Sequence, residues 1–159
     1  MAMHPAVRRL STVGVLACSL AVPCVSQFEG RWLTAKPDRL AYGIPTVCFG
    51  ETEGVKIGDH YTPQECADML AKKLPRYAEE IEACIFVPIS AKTEASFISF
   101  SYNIGTHGFC HSGTARHLNR YEYVEACNAM LAWNKAGGVV VRGLEIRRSK
   151  ERNLCMEGL

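Results

Sequence analysis

Residues 28–52 read FEGRWLTAKPDRLAYGIPTVCFGET, and this stretch decides the fold. Its second half holds Thr46-Val47-Cys48-Phe49, a β-prone run bounded by Pro45 and Gly50, which predicts a short strand. Pro and Gly punctuate residues 34–58, so the stretch reads as a small hairpin lobe rather than a helical one. Residues 25–33 can form a short helix leading into it. Two carboxylates flank the first half: Glu29 at the end of that helix and Asp38 nine positions later in the loop. Thr46 opens the strand. This order can set three polar side chains around one cleft.

Downstream the pattern turns helical. Thr62 is an N-cap, Pro63 suits the first helical position, and Glu65 completes a capping box. Met69, Leu70, Leu74, Tyr77 and Ile81 follow at helical spacing, although Pro75 is expected to kink or break the helix. Residues 90–104 form a second helix with Phe97, Ile98, Phe100, Tyr102 and Ile104 spread around most of its circumference, the pattern of a buried helix. Residues 121–133 and 144–156 supply two more, separated by Gly137-Gly138. The expectation is an α+β architecture: a small β-hairpin lobe, a long linking helix and a larger helical lobe, with the ligand cleft between the lobes.

Upstream, Arg8 and Arg9 precede residues 10–25, which carry no charge and are mostly small or apolar. A basic start followed by an apolar run is the plan of an export signal. Sixteen residues fall short of a comfortable span, and Ser11, Thr12, Gly14, Ser19 and Pro23 dilute them, so this segment should hold a bilayer weakly. Cleavage near Ser26 and retention as a signal anchor are the two readings. Retention is favoured because Glu29 follows so closely. The expected organisation is an export or anchor segment over residues 1–26 and a catalytic domain over 27–159.

Charge and cysteines narrow the function. The chain of 159 residues carries a formal +2, and with Arg8 and Arg9 set aside the remainder has 16 basic and 16 acidic residues. A neutral body argues against nucleic acid. Arg142, Arg147, Arg148, Lys150 and Arg152 form a late basic cluster, read as a solvated helix face, with attraction to an anionic polymer as the alternative. Export makes disulfides the default for eight cysteines. Cys18 and Cys24 lie in the apolar run, which leaves six for the body and the pairing open. His107, Cys110 and His111 sit close together but match no familiar zinc spacing, so no metal and no cofactor are expected.

Glycoside hydrolysis needs an acid to protonate the leaving oxygen and a second polar group to stabilise charge or aim water. Glu29 with Asp38 and Thr46 could supply these, although each has a plainer reading: a helix-end charge, a turn former after Pro37, and an ordinary strand residue. The wording around them is more specific. Phe28-Glu29-Gly30, Asp38, and Gly43 through Thr52 resemble the active-site signature of phage lysozymes of glycoside hydrolase family 24. Tyr61 to Cys66 resembles that family's helix start, Ser99 to Gly105 its central helix and turn, and Trp133 to Gly138 with Gly143-Leu144 and Arg147-Arg148 its C-terminal signature. The resemblance covers residues 28–155.

The resemblance implies a lysozyme-like fold and a catalytic triad. Glu29 would be the general acid, Asp38 the charge stabiliser and water-orienting group, and Thr46 the positioner of the attacking water. Glu29 should then be desolvated enough to keep its proton, with Asp38 ionised in a wetter position. Members with an export anchor imply pairing of Cys48 with Cys66, Cys84 with Cys110, and Cys127 with Cys155. Loops of this size are each worth roughly 3–4 kcal/mol in the chain-entropy model. Such anchors also suggest tethering to the inner membrane before release into the periplasm, and a redox switch through Cys18 or Cys24. Two features depart from the family: the Asp38–Thr46 loop is two residues longer than the commonest spacing, and Glu51 stands where His is frequent. Tyr102 and Asn103 are read as structural and Trp133 as core. The implied substrate is the peptidoglycan glycan strand, cut by a monomer. The rivals are a lytic transglycosylase using Glu29 alone and a non-catalytic wall-binding module.

Overall fold

The computed structural model describes residues 10–39 and 42–159. The basic start, with Arg8 and Arg9, lies outside the described residues. Among these residues the α-helices and β-strands run in order: α1 (Thr12–Ser26), β1 (Trp32–Asp38), β2 (Ile44–Cys48), α2 (Pro63–Glu82), α3 (Ala91–Ile104), α4 (Thr106–Cys110), α5 (Gly113–Leu118), α6 (Tyr123–Ala129), β3 (Lys135–Ala136), β4 (Val139–Val140) and α7 (Arg142–Glu157), with a 3-10 turn at Met130–Ala132 after α6. The architecture is α+β, a small hairpin lobe joined by α2 to a larger helical lobe.

The first helix differs from the expectation. It does not occupy residues 25–33. It covers the uncharged run instead and ends at Ser26, and Phe28 and Glu29 form a turn closed on Val25 O. Two local causes act. Ser11 caps the N-terminus by accepting from Gly14 N, and the β-prone Trp32-Leu33-Thr34 takes the chain into a strand. Gly14, Ala17, Cys18, Ala21, Cys24 and Val25 are buried, a stripe at helical spacing made of small residues. Their size lets α1 lie close against α3 and α2. The bulkier Val15 and Leu16 face outward. At about 1.5 Å per residue α1 is shorter than the hydrocarbon core of a bilayer. Among the described residues no helix is long and apolar enough to cross a membrane.

The long helix starts as its sequence dictates. Thr62 and Glu65 form the reciprocal capping box, with Pro63 inside the first turn. Pro75 does not break it. The carbonyl deprived of its donor belongs to Ala71, four residues back, which is exposed and small, so water can serve the oxygen and the ring meets little. The buried face, Cys66, Leu70, Leu74, Ala78 and Ile81, runs on past the proline. Pro23 of α1 is tolerated in the same way opposite exposed Ser19.

Helix α3 is buried without interruption from Thr93 to Ser101 and forms the axis of the helical lobe. Phe97, Phe100 and Phe109 make tilted and edge-on ring contacts there. Gly137-Gly138 does more than separate two helices. Both residues have positive φ, 56° and 80°, and form the two-residue turn of the β3–β4 hairpin. Three disulfides tie the elements: Cys48–Cys66 joins the hairpin to α2, Cys84–Cys110 joins the end of α2 to α4, and Cys127–Cys155 joins α6 to α7. Cys18 and Cys24 are free and buried.

Candidate active site

Strands β1 and β2 pair antiparallel, with Lys36 opposite Thr46 and Asp38 opposite Ile44. Alternate residues of a strand share a face, so Asp38 and Thr46 are diagonal neighbours on one face of the hairpin. Thr46 is nearly buried, and its hydroxyl donates to Ile44 O at 3.1 Å. The turn past Asp38 closes through Gly43 N to Asp38 O at 2.7 Å, with Tyr42 and Gly43 in the left-handed region. The longer Asp38–Thr46 loop is thus taken up beyond the ladder and leaves the register of both residues regular. On its other edge β1 meets residues 58–61 through Ala35 N to Asp59 O and Tyr61 N to Leu33 O, both 2.8 Å.

Glu29 sits at the junction of α1 and β1, one-quarter exposed. Its Oε1 accepts from Arg147 Nη1 at 2.8 Å. Arg147 is itself buried and uses every edge of its guanidinium: Nε donates to Glu151 Oε1 at 3.0 Å and Nη2 to Ser99 O at 3.0 Å. Ser99 Oγ donates to the same Glu151 oxygen at 2.7 Å. Arg148 completes the cluster, donating to Glu151 Oε2, to Asn103 Oδ1 and, at 2.9 Å, to Trp133 O. Two guanidiniums and two carboxylates balance one another, and the fully buried Glu151 touches both cations. The Phe28 ring lies 5.1 Å from the Arg147 guanidinium and shields it.

This cluster corrects one expectation. Arg147 and Arg148 are not part of a solvated face; they are 4% and 1% exposed, because α7 turns them towards α3. The fixed partner of Glu29 in this cluster is the Arg147 cation. The sequence offered part of this signal: Arg147 and Arg148 stand four and three residues before Glu151, the spacing of helical neighbours. The link to Glu29, 118 residues away, had no such signal. Asn103 holds Arg148 and so does more than close a helix. Trp133 is 39% exposed and meets Phe100 edge-on.

A second contact ties the hairpin lobe to the helical lobe beside Glu29. Tyr102 of α3 donates to Phe49 O at 2.8 Å, and its ring packs on Tyr77 of α2. Burial pushes the Tyr102 hydroxyl pKa well up, and the nearby Glu29 charge adds to the shift. Glu51, at the position where His is frequent in the family, pairs with Lys73 at 3.6 Å. Cys110 is committed to its disulfide, so it is no metal ligand beside His107 and His111. Those two rings stack on each other at 4.1 Å.

The family profile described as phage lysozyme matches residues 26–151. The chain belongs to the phage lysozyme family. It is a glycoside hydrolase, a lysozyme acting on peptidoglycan. Among relatives, the SAR-endolysin of Bacteriophage PS34 is 34% identical, the match covering 99% of each chain. The SAR-endolysin of Pseudomonas phage phiKMV is also 34% identical, over 89% of each. Among solved structures, a point mutant of P22 lysozyme is 31% identical and superposes with a TM-score of 0.79, covering 87% of this chain and 96% of that one. The lysozyme fold places Glu29, the hairpin face and the Arg147 cluster in one molecule whose sequence motifs run in the family's order.

Proposed function

We propose that this lysozyme is an endolysin whose muramidase reaction, at the β-1,4 bond between N-acetylmuramic acid and N-acetylglucosamine, runs through Glu29, Asp38 and Thr46. The observation that carries the assignment is the Glu29–Arg147 pair, a carboxyl between α1 and β1 held by a buried guanidinium. In its protonated form Glu29 gives the proton to the leaving glycosidic oxygen. Asp38 steadies the positive charge that grows on the sugar and, with the Thr46 hydroxyl, orients the attacking water. Arg147 acts through Glu29 and is a positioning residue. Replacing Glu29 by Gln keeps a hydrogen-bond acceptor for Arg147 but removes the transferable proton. Turbidity clearing of peptidoglycan should fall by a factor of about 100 or more, with the circular dichroism of the folded protein retained. A lytic Gln variant ends the assignment. Water attack leaves a reducing sugar end, so anhydro ends in the mass spectrum of the products would instead indicate the transglycosylase reading.

The export part of the reading rests on the uncharged segment and on the relatives named as SAR-endolysins. Residues 1–26 act as a signal anchor that holds the enzyme at the inner membrane, facing the periplasm, until it leaves the bilayer as a monomer. On release α1 takes the place it has in this fold, against α3 and α2. Small residues on one helix face and Val15 and Leu16 on the other suit both situations. Collapse of the membrane potential should move full-length protein from the membrane to the soluble fraction. Recovery only of a form beginning near Gln27 would favour simple secretion. Cys18 and Cys24 could exchange with a body disulfide such as Cys48–Cys66 before docking, since docking buries both thiols. Changing both to Ser with no effect on lysis timing removes the switch.

A further inference from the structure

We propose that the face of the helical lobe carrying Phe86, Arg116 and Arg120 is a docking surface for an anionic lipid bilayer. The loop after α2 presents Phe86 with 76% of its surface exposed, at the edge of a shallow groove shared with His111, Arg116 and Arg120. The exposure is built in and does not come from a loose loop. Phe86 N donates to Asn119 Oδ1 at 2.8 Å, Asn119 Nδ2 donates to Cys84 O at 2.8 Å, and Tyr123 Oη donates to Pro88 O at 3.0 Å. The Cys84–Cys110 disulfide pins the start of the loop. Three hydrogen bonds and a covalent tie thus fix an apolar ring in water, where a partner surface could cover it.

The charges around the ring identify what does. Arg116 and Arg120 are exposed, one helical turn apart, and neither has an ion-pair partner among the described residues. No acidic residue lines the groove. Tyr121, also largely exposed, follows Arg120 directly. Aromatic rings beside unpaired guanidiniums suit a bilayer interface, where rings settle at headgroup level and cations meet lipid phosphates. Position on the molecule points the same way. Ser11, at the start of α1, donates to the Glu82 carboxylate through its backbone N–H and its hydroxyl, and Glu82 is four residues before Phe86. The patch therefore lies near the point from which the chain continues towards its N-terminal segment. A released enzyme with α1 docked would still rest on the membrane by this face. This rests on the membrane reading above, but its test is separate.

The full chain and its Phe86→Ala/Arg116→Gln/Arg120→Gln variant are sedimented with vesicles of phosphatidylglycerol mixed with phosphatidylcholine, and with vesicles of phosphatidylcholine alone. The wild type should bind the anionic vesicles in a salt-sensitive way, and the triple variant about twentyfold or more weaker. Both should clear purified peptidoglycan at the same rate, which shows that the variant is folded. Equal vesicle binding by the two proteins overturns the proposal and assigns binding to the N-terminal segment. A variant that loses affinity for purified peptidoglycan but not for vesicles overturns it in favour of a wall-binding face. If the variant loses vesicle binding while full-length protein in cells never fractionates with membrane, the docking surface stands and the anchor reading falls.

Discussion

Arg147 is the residue on which the candidate site turns. It is buried, it donates to Glu29, Glu151 and the Ser99 carbonyl, and with Arg148 it balances the two carboxylates. Arg147→Met keeps the packing volume but leaves Glu151 with one cation and Glu29 with none. Breaking a buried pair in this way costs about 3–5 kcal/mol, so the melting temperature should fall clearly. Arg147→Lys restores a charge but not the three-way fork, and should recover stability better than activity, because a single ammonium cannot hold Glu29, Glu151 and Ser99 O together. Comparing kcat with thermal midpoint for the two variants checks this; equal recovery of both would mean that Arg147 serves only the fold. Glu29, Asp38 and Thr46 could be proposed from the sequence because the motif that resembles the family's signature is local. The guanidinium that fixes Glu29 could not, because its cause is the packing of α7 on α3.

Helix α1 is the element with the most unusual support. Its N-terminus rests on Glu82, and beneath it Glu94 of α3 is 1% exposed, with Oε1 lacking a hydrogen-bond partner among the described residues. Burial, then the charge of Glu82 and the hydrogen bond to it, pushes the Glu94 carboxyl up from 4.5 to about 8. The folded state thus holds a proton that the unfolded chain releases near 4.5. The contribution to stability is complete below that pH, is lost as pH rises, and levels off past about 8, a change on the order of a few kcal/mol. Denaturant midpoints should therefore fall between pH 5 and 8, an interval that lies between those two values, and Glu94→Gln should flatten the slope. A wild-type midpoint that rises over this interval contradicts the account. Helix spacing alone shows Glu94 on α3; only the docking of α1 and α2 around it shows that it is buried.

At the scale of the whole molecule, the disulfides span all three regions: hairpin to long helix, long helix to helical lobe, and helical lobe to its last helix. Each closes a loop worth roughly 3–4 kcal/mol in the chain-entropy model, so reduction should lower the thermal midpoint by a large margin. Scanning calorimetry with and without reductant measures it; an unchanged midpoint would mean that the core alone carries the fold. The sequence by itself determined the hairpin lobe, the capped long helix and the buried central helix, because caps, turns and periodicity are encoded within a few residues; the candidate triad came from its resemblance to the family's local motif. The sequence did not determine that the uncharged first segment is a core helix, that Pro75 is harmless, or that Arg147 and Arg148 lie inside. Those depend on which faces meet, and a face is hidden or wet only once distant elements have packed against it.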